Sequence, residues 1–411
     1  MEFTPPTIAD KRLAVRVSRG AERAIRSGHP WVFGDSIETV SHAGGPGDLA
    51  VVFDHNRKFV AIGLWDPDSP IRVRVLHAGA PKAIDEEFWH ERVLEAVAIR
   101  DPLLSASETT ALRLINGEND GFPGLVVDSY ADVAVAKIYS VAWVPHIQLI
   151  AAILQDLLGL KSVVARCARN LSPRDLHGLR DGAALHGGEP VGPVEFWENG
   201  LVFRADLVQG QKTGHFIDQR DNRAMVQALA ADARTLDVFA GTGGFSVHAA
   251  AGGARTVTSV DASRHSLDSA RINMELNQAR QLCGPVEHQL FRGDAFEMLA
   301  ALAERNEQFD LVVLDPPSFA QRQSSVPAGL TAYKRLTQLG LAVLEDGGTF
   351  VQASCSSRIA TDVFVDVVQG AAAGTGVILG DVIVTGHALD HPVTFPEGSY
   401  LKALYGTKRV V

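Results

Sequence analysis

Four aspartates, a glycine-rich turn and one cysteine stand in the C-terminal half of this 411-residue sequence where strands are expected to end. The run LDVFAGTGGFS reads as a strand turning sharply into a helix, with Asp237 closing the strand and Gly241, Gly243 and Gly244 making the turn. Such a turn lets backbone approach a ligand closely, and the helix N-terminus favours a polar or anionic group. Nicotinamide, flavin and S-adenosylmethionine (SAM) sites all use it. Ser246 occupies the place of the third glycine in the dinucleotide fingerprint GxGxxG, which weighs against a dehydrogenase. About 20 residues past the glycines, TVTSVDAS ends in Asp261, where a carboxylate binds both hydroxyls of a ribose. GDAF supplies Asp294, and LVVLDPPSF ends in Asp315, Pro316 and Pro317. One Asp after a strand is usually a turn or a helix cap. Four in order, at the carboxyl edge of one sheet around a glycine turn, form a joint signal for a bound nucleotide-like cofactor.

The cysteine adds covalent chemistry. Cys355 lies in SCS directly after the apolar run TFVQAS. A thiolate can add to an electron-poor ring carbon and so activate the carbon beside it. If the strand before Cys355 neighbours the strand before Asp315, the thiol faces the same cleft as DPP, and Asp315 holds the ring edge by hydrogen bonding. The thiolate needs a nearby positive charge, which the SAM sulfonium or Lys334 could supply. Cys167 reads as a packed small hydrophobe and Cys283 as an incidental loop thiol. DPPSF holds no second cysteine, so a second thiol does not help to release product.

These residues need a sheet with helices on both faces, and the chain order supplies one. From about residue 201, strand and helix patterns alternate, with strands expected at Thr235 to Phe239, Thr256 to Asp261, Leu311 to Leu314 and Thr349 to Ser354. Residues 1–80 instead carry short β-rich stretches separated by HAGGPGD and DPDSP, the pattern of a small barrel. Ser18 caps a predicted short helix with Arg19, Arg23 and Arg26 at helical spacing, near Trp31 and Phe33. That stripe is either a solvated face or, beside the aromatics, a nucleic-acid surface. Residues 85–200 mix helices with apolar strands and show no catalytic constellation; ARCARNLSPRDLHGLR carries four arginines with only Asp175 as an acidic partner.

Composition bounds the class. A 46% hydrophobic and 21% charged chain with three cysteines is a globular protein of a reducing, cytoplasmic setting, without a span or a signal segment. A net charge of -10 argues against non-specific coating of nucleic acid, although residues 1–80 hold ten Lys/Arg against nine Asp/Glu.

The quoted motifs, with GQKTGHFIDQRDNR (210–223), GHPWVF (28–33), NGENDGFPGL (116–125) and DHPVTFPEGSYLK (390–402), resemble the rRNA large-subunit 5-methylcytosine methyltransferases, a class I SAM-dependent family with an N-terminal PUA domain. The resemblance covers nearly the whole chain. It implies an α/β fold: a PUA-like RNA-binding barrel at 1–80, a central α+β domain at 85–200 and a Rossmann-like methyltransferase domain at 201–411. It also implies SAM bound by Gln219, Arg220, Asp237, Gly241, Gly243, Asp261, Asp294 and Asp315, with Gln219 and Arg220 at the methionine carboxylate. Cys355 and Asp315 are then catalytic, Arg19, Arg23, Arg26 and Lys334 touch large-subunit rRNA, and neither a metal nor a membrane is expected. A homodimer is compatible with the sequence. His215 stands where the family has an aromatic residue, and ARNLSPRDLHGL replaces a more polar motif. His391 fits a turn before Pro392 as well as an active-site place, and stays outside the catalytic set. Two other readings remain: an amino-directed methyltransferase using DPPSF, and a non-catalytic RNA-binding ribosome-assembly factor that keeps a SAM pocket. Ser318 before Phe319 disfavours the first, since amino-directed enzymes place the aromatic residue directly after the prolines.

Overall fold

The computed structural model describes residues 3–190, 192–208 and 214–411. It falls into two compact units, one of Met1–Phe196, Ala205–Ile217 and Leu389–Phe395, the other of Trp197–Arg204, Asp218–Ala388 and Pro396–Val411. No helix among the described residues is long and apolar enough to cross a membrane.

In the first unit a six-stranded sheet runs in the spatial order Trp31–Phe33, Ile71–Ala78, Phe59–Trp65, Leu49–Phe53, Leu13–Val17, Ile37–Val40. Its two edge strands are successive in sequence, separated only by the 3-10 turn Gly34–Ser36, so the ladder has to curl toward closure. Alternation along Leu13–Val17 sends Leu13, Val15 and Val17 inward, where they pack with Val32, Val52 and Val73. The helix Arg19–Arg26 starts where the Ser18 hydroxyl accepts the Ala21 N–H, and it buries Ile25 while Arg19, Arg23 and Arg26 stay exposed.

The same unit holds a five-stranded sheet, in order Ala184–Gly187, Ser162–Cys167, Val133–Ile138, Leu125–Tyr130, Ala111–Asn116. Helices Glu86–Ala98 and Ile147–Leu158 belong with it, and Trp89, Trp143 and Phe122 form an aromatic core with ring centroids 5.5 to 6.1 Å apart. Arg100 is fully buried here. It donates to both Asp120 oxygens (3.1 and 2.6 Å) and to the Asp390 carbonyl (2.8 Å), while an Asp390 carboxylate oxygen accepts the Arg113 N–H. A chain segment from residue 389 onward is thereby tied to residues about 280 positions away. Two of the four arginines of ARCARNLSPRDLHGLR find acidic partners beyond that run: Arg166 pairs with Asp181 at 3.2 Å, and Arg180 with Glu189 at 3.5 Å.

The second unit is built on a seven-stranded sheet. Its strands are β1 (Arg234–Val238), β2 (Thr256–Asp261), β3 (Glu287–Arg292), β4 (Phe309–Leu314), β5 (Leu344–Ser354), β6 (Val377–Thr385) and β7 (Lys402–Val410). They lie in the order β3-β2-β1-β4-β5-β7-β6, parallel from β3 through β5, with β7 antiparallel to both neighbours. Connecting helices are α1 (Arg220–Leu229), α2 (Gly244–Ala251), α3 (Arg264–Ala279), α4 (Ala295–Glu304), α5 (Val326–Ala342) and α6 (Thr361–Ala373). Parallel neighbours require such crossovers and bury strands on both faces, which explains the apolar runs LVVL and TFV. Leu236, Val238, Val312, Leu314, Phe350 and Leu404 are fully buried in one cluster. This is the Rossmann-like α/β arrangement that the alternating pattern predicts. The pattern finds β1, β2, β4 and β5 but passes over β3, β6 and β7. Exposed polar residues interrupt β3 (EHQLFR), and β6 and β7 pair antiparallel at the sheet's far side, away from the βα repeat.

The Arg100–Asp120 pair yields a stability prediction. Removing one partner strands a buried charge, so Asp120→Ala should lower unfolding stability by about 3–5 kcal/mol in urea titration. A loss below about 1 kcal/mol, the range of an exposed pair, would show that the ion pair does not hold this core.

Candidate cofactor and catalytic site

Strand order reverses at β1: β2 and β3 extend one way, β4 and β5 the other. The crevice outside the carboxyl ends at such a switch point is where open α/β sheets bind ligands. From β1 the chain passes through Phe239, a non-glycine residue held at φ +66°, into Gly241 (φ +54°) and Gly243 (φ +81°) and then α2. A side chain on Gly243 would come within 2.8 Å of Ala270 Cβ, so glycine there lets the turn pack against α3. A Cβ placed on Gly241 would meet nothing nearer than the Phe239 carbonyl oxygen at 4.0 Å, so the turn leaves open space on that side. Asp261, closing β2, fixes this turn: its Oδ2 accepts the Gly241 N–H at 2.9 Å and its Oδ1 the Ser263 N–H at 2.8 Å.

Asp237 lies below the turn, fully buried. Its Oδ2 accepts the Ser246 hydroxyl at 2.6 Å, and Ser246 in turn meets Ser259, which meets His288 at 2.8 Å. Ser246, the departure from GxGxxG, is thus the anchor of a buried polar chain. Burial pushes the Asp237 carboxyl up to about 7, with Asp261 adding to the rise and Ser246 opposing it, and the same cause takes His288 down to about 4. Oδ1 of Asp237 is buried without a hydrogen-bond partner. The open cradle at Gly241 and this orphaned acceptor fit a site built for a polar ligand.

Asp315 follows β4, and β4 pairs directly with β5, setting Leu314 against Gln352. Cys355, directly after β5, therefore reaches the same edge, and its thiol lies 3.9 Å from the Pro316 carbonyl. Gln219, expected at the methionine carboxylate, lies beside Asp315. Its amide nitrogen donates to Asp315 Oδ1 (2.8 Å), its oxygen accepts from Asn222 (2.5 Å), and Thr385 donates to Asn222 (2.6 Å). This chain orients Asp315 through side chains that sequence spacing does not connect. Arg220 is buried in the first turn of α1, 3.4 Å from Asp221. One turn later Arg223 makes two 2.6 Å bonds to Glu198, which also meets His248 at 3.1 Å, fastening α1 against α2.

Among the described residues, Lys402 of β7 is a buried cation that bears on Cys355. Lys334 is exposed on α5, whereas the Lys402 ammonium is buried, donates to the carbonyls of Ser356 and Ile359 (2.6 Å each) and feels the Cys355 sulfur electrostatically. A hydroxyl cluster flanks the thiol: Tyr333 bonds Ser354 and Ser356, and Ser318 of DPPS bonds Ser356.

Asp294 caps α4, one oxygen accepting the Phe296 and Glu297 N–H groups. Arg26 is partly neutralised by Glu22 at 2.9 Å. Gly210 and the rest of residues 209–213 lie outside the described residues. His215 packs on Phe196 in the first unit, and His391 of that unit bonds its neighbour Asp390. The Cys167 thiol is pushed up to about 11 by burial, and that of Cys283 is raised by burial too. Ligand atoms of Glu22, Asp54 and His55 lie within 4.8 Å of one another, with Glu22 already held by Arg26.

Fold and site define a Rossmann-like domain with a glycine turn, an Asp-Pro-Pro loop and a thiol at the carboxyl edge of its sheet. Residues 113–382 match the family model of S-adenosylmethionine-dependent methyltransferases, and residues 15–78 that of a PUA-like domain. A Deinococcus radiodurans protein named ribosomal RNA large subunit methyltransferase is 43% identical over 98% of this chain and 99% of its own length. The ribosomal RNA large subunit methyltransferase I of Aeromonas salmonicida is 35% identical over 94% and 97%. Among solved structures, a Streptococcus mutans chain assigned to the SAM-dependent methyltransferases superposes with TM-score 0.80 at 21% identity, covering 95% of this chain and 99% of that one. Another, a methyltransferase solved with SAH, gives TM-score 0.81 at 21% identity over 97% and 99%. The chain belongs to the S-adenosylmethionine-dependent methyltransferase family, in the group whose relatives are named ribosomal RNA large subunit methyltransferases. Its cofactor is S-adenosyl-L-methionine.

Asp261 carries the prediction here. Asp261→Ala should weaken SAM binding at least tenfold, about 1.4 kcal/mol, by titration calorimetry, with circular dichroism reporting intact secondary structure. Unchanged affinity would remove Asp261 from the ribose role.

Proposed function

We propose that this protein methylates carbon 5 of a cytidine in large-subunit rRNA, with Cys355 as the nucleophile. The observation that carries the reading is a single cysteine delivered by β5 to within 3.9 Å of the DPP backbone. The substrate class follows the names of the relatives and the PUA-like domain. SAM, when bound, supplies an electrophilic methyl group on a positively charged sulfur. This chain's residues do the rest. The Cys355 thiolate adds to carbon 6, a carbon–sulfur bond forms and the electron pair moves to carbon 5. Asp315, held by Gln219, hydrogen-bonds the ring edge where charge develops. Carbon 5 takes the methyl group while the donor sulfur keeps the bonding pair and becomes neutral; the carbon 5 proton then passes to solvent water, its electron pair re-forms the ring double bond, and the carbon–sulfur bond breaks to return the Cys355 thiolate. Gln219, Arg220, Asp237, Gly241, Gly243, Asp261 and Asp294 form the proposed cofactor surround.

The position of Phe319 supports carbon 5 over an exocyclic nitrogen. An amino-directed enzyme needs the aromatic residue after DPP free to stack on the base. Here the Phe319 ring packs against Tyr333 at 4.9 Å and Phe296 at 6.2 Å, so it serves the protein interior.

Replacing Cys355 by Ala should abolish methylation while SAM affinity persists, and wild-type protein should trap a covalent adduct with 5-fluorocytidine-containing RNA. Turnover by the alanine variant would sink the mechanism; an enzyme making methyladenosine or methylguanosine instead would establish the amino-directed reading. The exposed Arg19, Arg23 and Arg26 generate a second expectation. RNA affinity should fall as a power of salt concentration, and charge-neutral replacement of all three should flatten that slope. An unaltered slope would move RNA contact off this helix.

A further inference from the structure

We propose that Lys402 is the positioning residue that makes Cys355 a competent nucleophile, its ammonium clamped under the loop that carries the thiol. The inference rests on the assignment of Cys355 as nucleophile.

The placement comes from the β5–β7 ladder. In this antiparallel pair Ser354 lies directly opposite Lys402, so the lysine sits across the sheet from the residue preceding the thiol. Its side chain is 2% exposed and donates to the carbonyls of Ser356 and Ile359, 2.6 Å each. A buried ammonium is costly unless its protons are taken up and an anion compensates it. Two of its three protons go to those carbonyls, which belong to the turn running on from Cys355. When the Cys355 thiol ionises, its sulfur supplies that compensating charge. Burial lowers the lysine to about 8, with Cys355 opposing the fall, so the ammonium remains charged at neutral pH.

Among the described residues, the neighbours Asp315, Tyr333 and Tyr405 are not cations. A carboxyl such as that of Asp315 carries no positive charge in either form. Tyr333 of α5 and Tyr405 of β7 are both pushed up by burial, with the Asp315 charge adding to the rise, and so stay neutral. Lys402 also clamps the loop mechanically, since releasing its two carbonyls frees the turn from 355 to 359. An opposite charge nearby favours the thiolate; when the thiol ionises its proton goes to solvent and Lys402 keeps its own.

The test reads Cys355 itself. Iodoacetamide labelling of the full-length protein, quantified by mass spectrometry on the Cys355 peptide across pH, reports thiolate formation without RNA. Lys402→Met should shift the rate–pH midpoint upward by about one unit, near tenfold in labelling at pH 7. It should lower kcat while KM for SAM stays put, and Lys402→Arg should restore part of the labelling. A labelling curve unmoved in Lys402→Met, with Cys355→Ala inactive, overturns this inference and leaves the nucleophile assignment standing. Methylation by Cys355→Ala overturns the nucleophile assignment and this inference with it. If Lys402→Met fails to fold by thermal melting, the wild-type curve decides. A midpoint below that of a free thiol peptide supports the clamp; coincidence with the peptide overturns it.

Discussion

The site depends on one constraint, the parallel pairing of β1 with neighbours on both of its edges. Parallel strands all leave the sheet at the same end, so every loop that follows one is delivered to a single edge. The reversal of order at β1 opens a crevice there between the glycine turn and the DPP loop. Asp237, Asp261 and Asp315, spread over nearly 80 positions of sequence, become neighbours of one crevice through this pairing alone. The β4–β5 ladder then brings the thiol to the same place, and the antiparallel β7 inserts a lysine from the opposite chain direction.

Charged groups are buried throughout the molecule, and most are matched. Glu198, fully buried, holds Arg223 with two bonds and His248 with a third, while Arg100 divides its donors among Asp120, a helix carbonyl and Asp390. Such pairs contribute little net stability against an apolar core, yet they tolerate only one geometry. That selectivity suits segments that must be placed to within an ångström, such as α1 with Gln219 at its start. Asp237 has one carboxylate oxygen satisfied and one not, and its elevated carboxyl is the cost of an acid sealed beneath the glycine turn.

The overall charge of -10 and the RNA reading coexist because charge is local. The helix Arg19–Arg26 shows its arginines to solvent, whereas the acidic residues of the catalytic unit include those fixing the glycine turn and capping α4.

The sequence by itself determined what is local. The strand–turn–helix of GTGG, Asp261 after β2 and the cysteine after β5 are each written within about ten residues, because turn chemistry and periodicity act over that range. The N-cap at Ser18 was legible for the same reason, its hydroxyl accepting an N–H three residues on. What the tertiary structure decided is which side chains meet. The fold set the Gln219 amide against Asp315, 96 residues away, a contact that no local pattern announces. Lys334 lay closer in sequence to Cys355 than Lys402 does, but the register of β5 on β7 chose Lys402. Register and strand order follow from burying apolar faces across the whole sheet, a summed condition that no short window contains.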